Sequence, residues 1–87
     1  MPLKNAPLPD IVLFNPDVDD FTCSYDIKGT GEPEQFTVKS MQTATYPNFL
    51  GQHIKKYLVN HLIIKWNKRF TDEEEVSKIK NLVEIKL

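Results

Sequence analysis

The sequence predicts a small α+β domain: an antiparallel sheet of three to four strands, packed by one long amphipathic helix and followed by a shorter C-terminal helix. Three observations predict it. Residues 10–46 hold short runs in which apolar and polar side chains alternate, broken by proline, asparagine and glycine. Residues 48–67 carry apolar side chains at steps of three and four. Residues 71–74, Thr-Asp-Glu-Glu, read as the start of a second helix.

Taken in order, residues 1–9 contain Pro2, Pro7 and Pro9, which remove backbone donors and favour extended chain, so this stretch reads as an arm outside a single domain of residues 10–87. Residues 10–14 (Asp-Ile-Val-Leu-Phe) form an apolar strand stopped by Asn15-Pro16, a turn opener. From Phe21 to Ile27 the chain alternates, with Phe21, Cys23, Tyr25 and Ile27 on one face. Gly29 and Gly31 supply the positive φ angles of a tight connection, and the chain returns through residues 34–40 with Phe36 and Val38 on one face. Residues 41–46 add a further short strand with Ala44 and Tyr46 inward.

Asn48 is the expected N-cap of the long helix. Its apolar stripe runs through Phe49, Leu50, Ile54, Tyr57, Leu58, His61, Leu62, Lys65 and Trp66, widened by Val59 and Ile63. Gly51 costs that helix about 1 kcal/mol relative to alanine, which points to a close approach to the sheet. The second helix is expected to open with a capping box, Thr71 at the cap and Glu74 reaching back, and to bury Val76, Ile79, Leu82 and Val83. Residues 84–87 alternate and suit an extended finish.

With 87 residues, 40% of them hydrophobic and 26% charged, the chain has the balance of one globular domain with a thin core, for which association with a partner is a common reinforcement. One cysteine, Cys23, allows no intrachain disulfide. There is no apolar run of about 18 residues, and residues 1–7 lack the apolar centre of a signal peptide. The expected setting is therefore a reducing cytoplasm, where a free thiol is ordinary.

The net charge of −1 conceals a segregation. Residues 1–34 carry two lysines against seven acids; residues 35–71 carry Lys39, Lys55, Lys56, Lys65, Lys68 and Arg69 with no acid; residues 72–87 carry three lysines against five acids. Such a chain either neutralises itself on folding or pairs with copies of itself. The contact candidates are Lys55, Lys56, Lys65, Lys68 and Arg69 on the helix and Asp17, Asp19 and Asp20 in the acidic loop. The basic face suits an acidic protein surface, a nucleic-acid backbone or plain solvent, although a single arginine and a pI near 6.1 disfavour a general nucleic-acid binder.

Motifs for catalysis are missing. His53 and His61 stand eight residues apart on one helix, about two turns, too far to share a metal. Asp17-x-Asp19-Asp20 begins like a calcium loop but lacks the glycine and the late glutamate that such a loop needs. Gly29-Thr30-Gly31 is followed by Glu-Pro and not by a helix, so it is no phosphate loop. Ser24 and Ser40 lie outside any nucleophile-elbow pattern. No cofactor is expected.

Phe21-Thr22-x-x-Tyr25-Asp26, Phe36-Thr37-Val38 and Tyr46-Pro47-x-Phe49-Leu50-Gly51-x-His53-Ile54, with Leu58 to Ile63, together resemble small proteins of tailed bacteriophages over roughly residues 19–63. In those proteins an Asp-Phe-Thr strand, a hairpin and a Phe-Pro-x-x-Leu-Ala-x-His-Ile helix start follow in that order. Gly51 stands where alanine is usual. The resemblance implies a virion-associated or head-module protein and transfers no catalytic residue. The expectation is thus a non-enzymatic structural or accessory subunit of a phage particle, made in the host cytoplasm and in contact with other virion proteins or its own copies. The alternative is a cytosolic regulatory module that binds nucleic acid or an acidic protein through its lysine-rich helix.

Overall fold

The computed structural model describes residues 8–85 of the chain. Its elements are β1 (Ile11–Phe14), β2 (Phe21–Tyr25), β3 (Glu34–Val38), β4 (Thr43–Tyr46), α1 (Asn48–Lys65), α2 (Glu73–Val83) and β5 (Glu84–Ile85). The α+β class stands, with the long helix first and the shorter one after it. The arm expected over residues 1–9 falls, up to residue 7, outside the described residues, as do residues 86–87 at the other end.

The strands form two antiparallel sheets and not one. In the first, β1 is central, paired with β4 on one side (Ile11 opposite Tyr46, Phe14 opposite Thr43) and with β5 on the other (Val12 opposite Ile85, Leu13 opposite Glu84). The second is the β2–β3 hairpin, running from Phe21 opposite Val38 to Tyr25 opposite Glu34. The separation arises at Asn15. Its backbone N–H donates to the Gln42 carbonyl (3.1 Å) and its own carbonyl accepts from Met41 N–H (2.8 Å), so the β1–β4 ladder runs on past the hairpin and leaves β2 and β3 to each other. Alternation places Ile11 and Leu13 inward from β1, and Phe21 and Val38 inward from the hairpin. On the outer face of the hairpin the Thr22 and Thr37 hydroxyls bond at 2.8 Å.

Both helices close over this core. Leu50, Ile54, Leu58 and Leu62 of α1 are buried, and so are Val59 and Ile63, against Ile79 and Val83 of α2. Each such side chain contributes about 1.5–3 kcal/mol by leaving water. The buried face of α1 is rotated from the expected one: Phe49 and Tyr57 are exposed, whereas Val59 and Ile63 are central. Helix α2 lies on the Val59 flank, with Lys80 across a groove from it, while Tyr57 on the other flank touches only the edge of His53 beside the hairpin. In α2 itself Leu82 is exposed, contrary to expectation, and Val76 is half-buried.

The helix ends correct two further expectations. Helix α1 starts at Asn48 itself, with Pro47 as its N-cap and no side-chain cap; the Asn48 amide donates instead to the Pro9 carbonyl at 3.1 Å. At α2 the cap is Asp72, one residue later than Thr71, and its carboxylate accepts from Glu75 N–H at 3.2 Å. Asp72 N–H is already bonded to the Arg69 carbonyl, so no glutamate reaches back to it and the capping box is not formed.

At the C-terminus of α1, Asn67 takes a left-handed conformation (φ 57°). Lys68 N–H then donates to the Ile63 carbonyl (2.8 Å) and Asn67 N–H to the Ile64 carbonyl (3.1 Å), the two bonds of a Schellman end. An Asn67→Gly variant is expected to keep stability within about 0.5 kcal/mol, and Asn67→Ala to cost about 1 kcal/mol, because a Cβ without a compensating polar group disfavours this conformation. Urea midpoints measure both, and an alanine variant as stable as glycine would contradict the account.

Candidate functional site

The densest polar cluster forms where the acidic loop meets the end of α1. Asn15 is fully buried, and its amide nitrogen donates to the carbonyls of Asp19 and Val38 at 2.9 Å each, while its Oδ1 accepts from Asp17 N–H at 3.0 Å. Asp17 is only 5% exposed; one carboxylate oxygen accepts from Val18 N–H at 2.8 Å, and the other accepts from the Lys65 ammonium at 2.6 Å. Lys65 also reaches Asp19 at 2.6 Å. Asp20 accepts from Ser40 N–H at 2.8 Å, and the Ser40 hydroxyl donates to the Asp17 carbonyl at 2.6 Å. Residues 15–20 are thereby fixed to β3, to the turn before β4 and to α1.

The Lys65 ammonium hydrogen-bonded to Asp17 holds that carboxyl below the ordinary value of 3.8, against the opposing effect of burial. Asp17 and Asp19 raise the Lys65 ammonium above 10.5. A carboxylate more acidic in the folded state stabilises the fold above its unfolded value, and that stabilisation is lost as pH falls through the folded value. The ammonium, with a raised folded value, stabilises below 10.5 and loses this as pH rises through its folded value. In a Lys65→Met variant the drop in melting temperature on acidification below about pH 4 is therefore expected to be shallower than in the wild type. Parallel drops in the two proteins would contradict the pairing.

The eight contact candidates separate on this geometry. Asp17, Asp19 and Lys65 come together within the chain, and Asp20 holds the Ser40 backbone. Asp17 is therefore a buried internal partner and not a surface for another molecule. Lys55 pairs with Glu84 of β5, both half-buried, and pins the last strand to α1. Lys68 lies 3.7 Å from Glu75. Only Lys56 and Arg69 of the five cations make no ion pair among the described residues. The segregated charge mostly neutralises itself on folding, and no continuous lysine face is left.

Other candidates have structural roles. His53 is stacked on Tyr25 (ring centroids 4.0 Å apart) and lies 4.7 Å from Tyr57, while His61 rests against Phe21 with Nε2 3.9 Å from Asp17. Burial pushes the Cys23 thiol above its ordinary value, which keeps it protonated and weakly nucleophilic at neutral pH. Among the described residues no group of three or more His, Cys, Asp or Glu side chains is placed to hold a metal ion, and no helix is long and apolar enough to cross a membrane.

Three features went unread in the sequence. Val18 is 81% exposed at the tip of the fixed acidic loop. Phe49, Tyr57 and Ile64 lie exposed along the outer face of α1. A groove of about 380 Å³ between α1 and α2 is lined by Gln52, Lys55, Lys56, Val59, Asn60 and Lys80. The unequal coverage of α1 by α2 decides the second, and helix placement decides the third; neither has a local sequence signal. Val18 had one, an apolar residue amid three aspartates. Compared with known proteins, the chain matches no family model, no curated protein and no solved structure.

Proposed function

We propose that the chain is a non-catalytic contact module, a structural or accessory subunit of a tailed-phage particle that works by binding other virion proteins or its own copies. The observation that carries the contact reading is the outer face of α1, where Phe49, Tyr57 and Ile64 remain exposed on a helix whose opposite side already closes the core. Apolar side chains gathered on one face are what a protein interface covers. The particle setting rests on the resemblance of residues 19–63 to phage proteins. The nucleic-acid and acidic-protein alternative has less behind it, since Lys55, Lys65 and Lys68 already have carboxylate partners.

Mass spectrometry of purified particles from a phage carrying this reading frame is expected to find the chain, at a fixed ratio to a major head or tail protein. Its absence from particles, with abundant free protein in the lysate, would overturn the reading.

A further inference from the structure

We infer that the Val18 loop of one copy docks into the lysine groove between α1 and α2 of another, so that copies associate head to tail. This rests on the contact reading above and names the partner as a second copy of the chain.

The two surfaces match in chemistry. Val18 projects from the loop with Asp19 and Asp20 beside it, both exposed; Asp19 shares the Lys65 ammonium with Asp17 and Asp20 accepts from Ser40 N–H, so the loop keeps an excess of carboxylates over ammonium groups. The groove has Val59 in its lining, amides from Gln52 and Asn60, and ammonium groups from Lys56, Lys80 and Lys55, the last already held by Glu84. Lys56 and Lys80 make no ion pair among the described residues. An apolar side chain with flanking carboxylates thus meets an apolar lining residue with flanking ammonium groups. At about 380 Å³ the groove has room for a short loop tip and not for a helix.

The loop is also ordered in advance. The side chains of Asn15, Asp17 and Ser40 bond its backbone, and its carboxylates are tied to Lys65 and to Ser40 N–H. Burying a side chain on a loop that folding has already fixed costs little further conformational entropy. An apolar residue 81% exposed at such a place contributes nothing to its own fold.

A chain cannot fill its own groove. The loop is tied to Lys65, nine residues beyond Lys56 on α1, which is about 13 Å along the helix axis. The contact joins two different patches, so each copy keeps one loop and one groove free for the next, and the assembly grows as a chain or closes as a ring.

Two variants test this. Lys56→Glu with Lys80→Glu reverses the groove and leaves the loop intact. Val18→Asn removes the apolar tip and leaves the groove intact; it is expected to weaken association at least about tenfold. All three altered positions are exposed and make no hydrogen bond through the altered side chain among the described residues, so circular dichroism and melting temperature are expected to stay near wild type. In sedimentation velocity at low salt, the wild type is expected to rise past dimer mass with concentration and to fall back as salt is added. At concentrations where each variant alone is a monomer, their mixture is expected to give a one-to-one dimer and nothing larger, because one intact loop meets one intact groove. A monomeric wild type, or a mixture without dimer, overturns the inference. A groove variant that assembles as the wild type does overturns it too, while leaving self-association by another face in place. None of these outcomes bears on whether particles contain the chain, which tests the functional reading separately.

Discussion

Asn15→Ala is expected to lower the unfolding free energy by about 3 kcal/mol. The side chain is fully buried and serves three backbone groups: the carbonyls of Val38 and Asp19, and the N–H of Asp17. Alanine leaves the Asp17 N–H in the interior without a partner, which costs about 1–3 kcal/mol, and strips the Val38 carbonyl of its side-chain bond, leaving it only the ladder to Phe21. The Asp19 carbonyl lies nearer the surface and recovers part of its loss from water. Asn15→Asp is the sharper probe. It keeps the shape but sets a carboxylate oxygen against two carbonyls in a buried place, so its folded-state pKa is raised and the variant gains stability as pH falls through that value. Urea unfolding at neutral and acid pH measures both. An Asn15→Asp variant that loses stability on acidification in step with the wild type would show that the amide is not the donor described.

Gly51→Ala is expected to destabilise the domain by about 1–2 kcal/mol, although alanine favours a helix by about 1 kcal/mol. An added Cβ would lie 2.8 Å from Ile11 Cβ, 3.3 Å from its Cγ2 and 3.4 Å from its Cδ1. The closest atom is fixed to the backbone of β1, so no side-chain rotation relieves it and the helix or the strand must move. The loss exceeds the gain because α1 and β1 bracket the same core. Shortening the partner with Ile11→Val removes only Cδ1 and is expected not to rescue the alanine. Rescue by that double variant, read from thermal midpoints, would mean that the flexible end of Ile11 made the conflict.

Local patterns carried most of the fold. The alternation at Phe21–Cys23–Tyr25 and at Phe36–Val38 placed the hairpin and its inner face, and Leu50, Ile54, Leu58 and Leu62 placed the inner side of α1. What the sequence did not reveal depends on distant partners. Asn15 reads locally as a turn opener before Pro16, yet the bond that makes it matter reaches Val38, 23 positions on. Asp17 and Lys65 stand 48 positions apart; charge segregation announced that acids and bases would meet, but not which ones or whether within one chain. The rotation of α1's buried face follows from where α2 lies, and the period of α1 alone cannot report it.

The place of β1 has a consequence for how the protein is made. This strand is made before every other described element, yet one of its two edges is completed by β5, the last of them. Until Glu84 and Ile85 emerge, Val12 and Leu13 have no neighbour on that side, and Lys55 has no Glu84 to hold. The nascent chain therefore carries an open strand edge while every element from β2 to α2 is made. Chains stalled or truncated before Glu84 are expected to be far more prone to aggregation than the loss of a two-residue strand suggests.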